Sequence, residues 1–148
     1  MVMSTSLVTR SSLPQCLPIV KPQPMAELPA RVWSHDQWER IRLGCVAPDM
    51  DAKWDVFVEH DVAYLHRSWT GFGIFEATFS RERKGRRVSA AVVEREPARY
   101  RFGSDHMARV ILELVISAVL LGESAAELRA EMAALLTSPP ADLRNDGS

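Results

Sequence analysis

The chain has 148 residues, 47% of them apolar and 25% charged, with a formal net charge of −1. Such figures describe one globular domain that can build a core without disulfides or a structural metal. They exclude a chain drawn as a whole toward polyanions.

The near-neutral total hides a segregation. Between Arg81 and Arg101, eight basic residues stand against three acidic ones, enough to steer an anionic partner to one side of the molecule. Two cysteines, Cys16 and Cys45, make no disulfide framework, so reduced thiols in a cytoplasmic protein are expected. Pro14, Pro18, Pro22 and Pro24 interrupt the N-terminal apolar residues, and no secretory signal is read there. The most apolar run, residues 110–121, falls short of a bilayer span and carries Glu113 and Ser117, so no membrane partner is expected.

In chain order, residues 1–30 are rich in Ser, Thr and Pro without an apolar period and read as a flexible arm, either an unstructured leader or a segment for a partner. Residues 31–138 read as one α+β domain. Ser34 and Gln37 match a capping box, flanked by Trp33 and Trp38 at staple positions, which opens a helix that Gly44 ends.

Residues 54–79 then alternate as half-buried strands do. Trp54, Val56 and Val58 share one face. Ala63, Leu65, Arg67 and Trp69 share another, opposite Tyr64, His66 and Ser68. Phe75, Ala77 and Phe79 oppose Phe72, Ile74, Glu76 and Thr78. A tight corner at Thr70-Gly71 joins the second and third runs. A fourth strand, residues 87–94, is expected to set Val88, Ala90 and Val92 against Arg87, Ser89, Ala91 and Val93.

Ser104 or Asp105 can cap a following helix that is apolar nearly all round except for Arg109, Glu113 and Ser117. Such a helix needs cover on more than one side, so residues 107–121, with Met107 and Leu121 at the ends, are a candidate homodimer surface. Ser124 and Glu127 suggest a second capping box opening a last helix. Residues 139–148 read as a disordered tail. The fold class is therefore α+β: a four-stranded antiparallel meander packed with one N-terminal and two C-terminal helices.

Most of the motifs that carry chemistry are missing. The four histidines, His35, His60, His66 and His106, show no ligand spacing, so no metal site is expected, although His60, Asp61 and His66 lie within reach of one another in sequence. Neither a phosphate-binding loop nor a dinucleotide glycine fingerprint occurs, and no cofactor is expected. His66 and Ser68, two apart on a strand, stand roughly 6–7 Å from each other, too far for a base to activate a hydroxyl. No catalytic residue is assigned.

The densest set of ligand-recognising groups is Tyr64, His66, Arg67, Ser68, Trp69 and Thr70. A guanidinium grips phosphate or carboxylate, and aromatic rings stack on planar groups. The structural alternative pairs Arg67 with a carboxylate and packs Trp69 away.

The residues MDAKWDVFVEHDVAYLHRSWTGFGIFEATF at 50–79, followed by Glu96-Pro97, Tyr100, Asp105 and a helix ending Leu120-Leu121-Gly122, resemble a small bacterial domain found free-standing and beside ADP-ribosylglycohydrolase-like catalytic domains. The resemblance spans residues 33–122 and is most specific at YLHRSWTG, residues 64–71. By association it implies a link to ADP-ribose or NAD chemistry. It brings no catalytic residue with it.

The expected function is thus a non-catalytic cytoplasmic module that recognises an anionic, nucleotide-like ligand or a protein partner through the corner at residues 66–71. A first alternative is a small hydrolase or transferase using His66 with Asp61 or Glu76. A second is nucleic-acid binding by the basic hairpin Arg81, Arg83, Lys84, Arg86 and Arg87.

Overall fold

Alternating apolar residues build the middle of the fold, and backbone pairing adds its margin. The computed structural model describes residues 7–48, 52–101 and 103–137. Two three-residue strands, β1 (Pro22–Pro24) and β2 (Val32–Ser34), precede helix α1 (His35–Ile41). Four longer strands follow: β3 (Trp54–Glu59), β4 (Val62–Arg67), β5 (Gly73–Glu82) and β6 (Gly85–Glu94). Helix α2 (Asp105–Leu114) continues as a π-helical stretch, Val115–Leu120, and α3 (Ala126–Thr137) is the last described element. The expected tail at 139–148 lies outside the described residues.

The fold is α+β, and its antiparallel sheet has six strands rather than the expected four. Strands β3 to β6 form the meander, and β1 and β2 both pair with the outer edge of β6. The two extra strands carry no alternation. Pro22 and Pro24 cannot donate to a ladder and are tolerated because β1 lies at an edge. Residues 7–30 correct the expectation of a flexible arm: Leu13 and Met25 are buried, and Leu17 bridges to Phe72. The Glu94 carboxylate accepts from the backbone N–H groups of Val20 and Lys21 at 2.9 Å each.

The alternation in β3 and β4 is as expected, and β5 follows it from Phe75 to Phe79, whereas a register shift opposite Leu65 and His66 skips Ile74, which is buried in the same core cluster as Phe75. Val56 pairs with Leu65, and Leu65 with Phe75, so these side chains share the face that packs on the helices. In β6 the expected alternation fails. The register shifts opposite Thr78 and Phe79, which pair with Ala90 and Val88. This bulge leaves Ser89 unpaired and inverts the remainder of the strand. Val88, Ala91 and Val93 are consequently the buried residues, and Ala90 is exposed.

The capping box at α1 forms in full, with the Gln37 N–H donating to Ser34 Oγ and the Ser34 N–H to Gln37 Oε1. Trp33 and Trp38 both close on Phe79, at ring separations of 5.8 and 4.9 Å. The second expected capping box does not form. Ala125 takes φ +51 and α3 begins one residue later, while the Ser124 carbonyl accepts from Arg129 Nε at 2.7 Å.

Helix α2 finds its cover inside the chain rather than requiring a second subunit. Val110, Leu112, Val115, Ile116 and Leu121 are buried. Its polar stripe is also covered. Arg109 pairs with Glu27, Glu113 and Glu131, and Ser117 accepts from Arg31, which forks onto Glu123.

Candidate functional site

The six residues read as one binding corner do not converge. Strand alternation sends Arg67 to the helix face and Tyr64 and His66 to the other. The strand ends at Arg67, so Trp69 sits in the turn and no longer follows the alternation that grouped it with Arg67. Its side chain is 63% exposed, and its carbonyl accepts from Gln15 Nε2. Ser68 Oγ donates to the Ala52 carbonyl, and Thr70 Oγ1 accepts from the Phe72 N–H, so Thr70 holds the turn itself and Ser68 ties it to the residues before β3.

On the face away from the helices, Tyr64 stacks on Phe57 at 4.8 Å, and His66 stands over the same ring at 5.6 Å. His66 is 3% exposed. Its Nδ1 lies 2.9 Å from the Gly71 carbonyl, and its Nε2 lies 3.9 Å from Cys16 Sγ. With both nitrogens so engaged, the ring has none left for Asp61 or Glu76. Asp61 pairs instead with Arg86 at 2.8 Å. Burial pushes the Glu76 carboxyl above its usual range. Among the described residues, no group of three or more His, Cys, Asp or Glu side chains is placed to hold a metal.

Arg67 has a different setting. Its cross-strand partner is Trp54, and the guanidinium lies 4.6 Å from the centre of that indole and 5.5 Å from the Tyr100 ring. Trp54, Phe75 and Tyr100 follow one another at 6.0 Å spacings. Burial pushes the Tyr100 phenol up to about 12, against the opposing pull of Arg67, so the ring stays neutral across the physiological range.

Arg67 and Trp54 line a cleft of about 200 Å³, floored by Ile111, Leu114 and Val115 and walled by Lys53, Val119, Arg129 and Met132. A second cavity, about 410 Å³, shares Lys53, Trp54, Val119 and Arg129 with the first and extends to Cys45 and Pro48. Together they form one groove between the start of β3, the π-helical stretch and α3. Three cations border it, and no described residue lining it is acidic. Val46 and Val119, 37% and 44% exposed, extend the apolar surface at its rim.

Sequence reasoning found Arg67 but missed Lys53, Trp54 and Arg129 as its companions. Trp54 was legible only as a core residue. Arg129 comes from a helix more than sixty positions away, and no local pattern joins the two.

The basic hairpin is partly spent. Arg86 pairs with Asp61 and stacks on Trp38 at 4.7 Å, and Arg87 pairs with Glu82. Arg81, Arg83 and Lys84 remain exposed at its tip. Comparison with family models, curated proteins and solved structures finds no match for this chain.

Proposed function

We propose that this domain is a non-catalytic binding module that takes an anionic, nucleotide-like ligand in the groove beside Arg67. One observation carries the reading. Lys53, Arg67, Arg129 and the Trp54 indole border a single apolar-floored groove in which no described lining residue is acidic. Guanidinium groups suit phosphate or carboxylate oxygens, and an indole edge beside aliphatic walls suits a flat or apolar body. Among the described residues no carboxylate pairs with any of the three cations. The resemblance to a domain found beside ADP-ribosylglycohydrolases makes ADP-ribose and NAD the first compounds to try.

Each charge-assisted hydrogen bond contributes about 1.5–3 kcal/mol, so losing one should weaken binding about ten- to hundred-fold. Calorimetric titration with ADP-ribose is expected to give saturable binding. Arg129→Ala should lose at least tenfold in affinity with its melting temperature little changed, because that side chain is exposed and gives up only a surface hydrogen bond to the Ser124 carbonyl. Arg67→Ala should lose as much affinity and also melt a few degrees lower, since it gives up its stacking on Trp54. Both variants binding as the parent does would refute the groove.

A further inference from the structure

On the other face of the sheet, three side chains from distant parts of the chain meet at one sulfur. His66 Nε2 lies 3.9 Å from Cys16 Sγ, and Arg10 Nη1 lies 4.0 Å from the same atom. We propose that Cys16 and His66 form a thiol–imidazole pair that exchanges with low-molecular-weight disulfides, with His66 as the base and Arg10 as the cation facing the sulfur.

The ring's orientation is fixed by its surroundings. The Gly71 carbonyl can only accept, so the hydrogen bond at 2.9 Å requires the proton on Nδ1. That leaves Nε2 with a bare lone pair, and among the described residues its one partner is the Cys16 thiol. The ring is 3% exposed, lies over Phe57, and is backed by Gly73, where an added Cβ would come 3.2 Å from its Cε1. A base already oriented beside its nucleophile is the arrangement that activates thiols and hydroxyls.

Burial is the main cause holding the imidazole below its usual pKa, with Arg10 adding to it, while the Gly71 hydrogen bond and Asp55 pull the other way. The ring is therefore neutral at neutral pH, with the Nε2 lone pair facing the thiol. Arg10 is held in place by a fork onto Glu59, at 2.9 and 3.2 Å, and its guanidinium also lies over Phe57.

In the exchange, the Cys16 Sγ–H proton passes to His66 Nε2, and the sulfur's electron pair attacks one sulfur of the disulfide. The disulfide S–S bond breaks, its electron pair leaves on the outer sulfur, and that sulfur takes the proton from Nε2. One S–S bond forms as one breaks, Cys16 ends as a mixed disulfide, and a single small thiol is released. Cys45 serves as an internal control. Burial pushes its thiol up to about 11, and no described imidazole or cation contacts it.

The test treats the whole protein with oxidised glutathione and follows each cysteine by mass spectrometry of its peptide. Native Cys16 is expected to react at least tenfold faster than the same residue in urea, with Cys45 unmodified until the protein unfolds. His66→Gln should slow Cys16 at least tenfold. Arg10→Gln, a substitution at an exposed position, should slow it severalfold, which decides the matter if the buried His66 variant does not fold. Native Cys16 reacting no faster than in urea, or either folded variant reacting at the parent rate, would overturn the proposal.

Discussion

Glu94 illustrates how one buried carboxylate can organise a long segment of chain. It is fully buried, a situation that alone would raise its pKa, yet the N–H groups of Val20, Lys21 and Glu96 all donate to it and together hold it below the usual glutamate range. A carboxyl whose folded pKa is depressed contributes stability above its unfolded pKa and loses it as pH falls through the folded value. The urea midpoint should therefore lose this contribution only below about pH 4, with a smaller fall over that window in Glu94→Gln. Glu94→Ala strands three donors and should cost about 2–3 kcal/mol at neutral pH. Glu76 has the opposite sign, because burial raises it. Glu76→Gln should slightly raise the melting temperature at neutral pH, and a fall would mean that the carboxylate has a partner the structure does not reveal.

At the scale of elements, the periodic segments were legible and the rest were not. Strands β3 and β4, and β5 from Phe75 onward, followed their alternation, and α1 followed its capping box, because those signals are local. Strands β1 and β2 were not legible, since they are held by backbone pairing and by Glu94, neither of which leaves an apolar period. The bulge at Ser89 inverted β6 without any glycine to announce it. Trp69 and Arg67 separated because the strand stopped between them, and the groove escaped notice because α3 supplies Arg129 across the fold.

The turn after β4 shows how tightly the N-terminal segment is fitted. Gly71 has φ +77, and an added Cβ would run into Gln15. Gly71→Ala should cost at least the ~1–2 kcal/mol of a left-handed non-glycine residue, read by urea unfolding, whereas an unchanged midpoint would mean that residues 13–17 do not rest on the turn. Ser34→Ala removes the α1 cap and should cost about 1 kcal/mol.

Across the whole molecule, the sheet separates two surfaces. Helices cover one face and leave the cationic groove at their junction with β3. The N-terminal segment covers the other and delivers Cys16 and Arg10 to His66. Residues 7–30 are thus part of the fold, and removing residues 1–30 should lower the melting temperature by many degrees. A truncated protein as stable as the whole would restore the flexible arm. Among the described residues, no helix is long and apolar enough to cross a membrane.

The central claim is that the groove beside Arg67, rather than the turn at Trp69, receives an anionic ligand. Its most direct test is a nuclear magnetic resonance titration of the labelled protein with ADP-ribose, NAD and anilinonaphthalene sulfonate, following the four tryptophan indole signals. At least one compound should shift the Trp54 indole and the Lys53 and Val119 amides saturably while leaving Trp69 unmoved. Shifts centred on Trp69, or none with any of the compounds, would contradict the account.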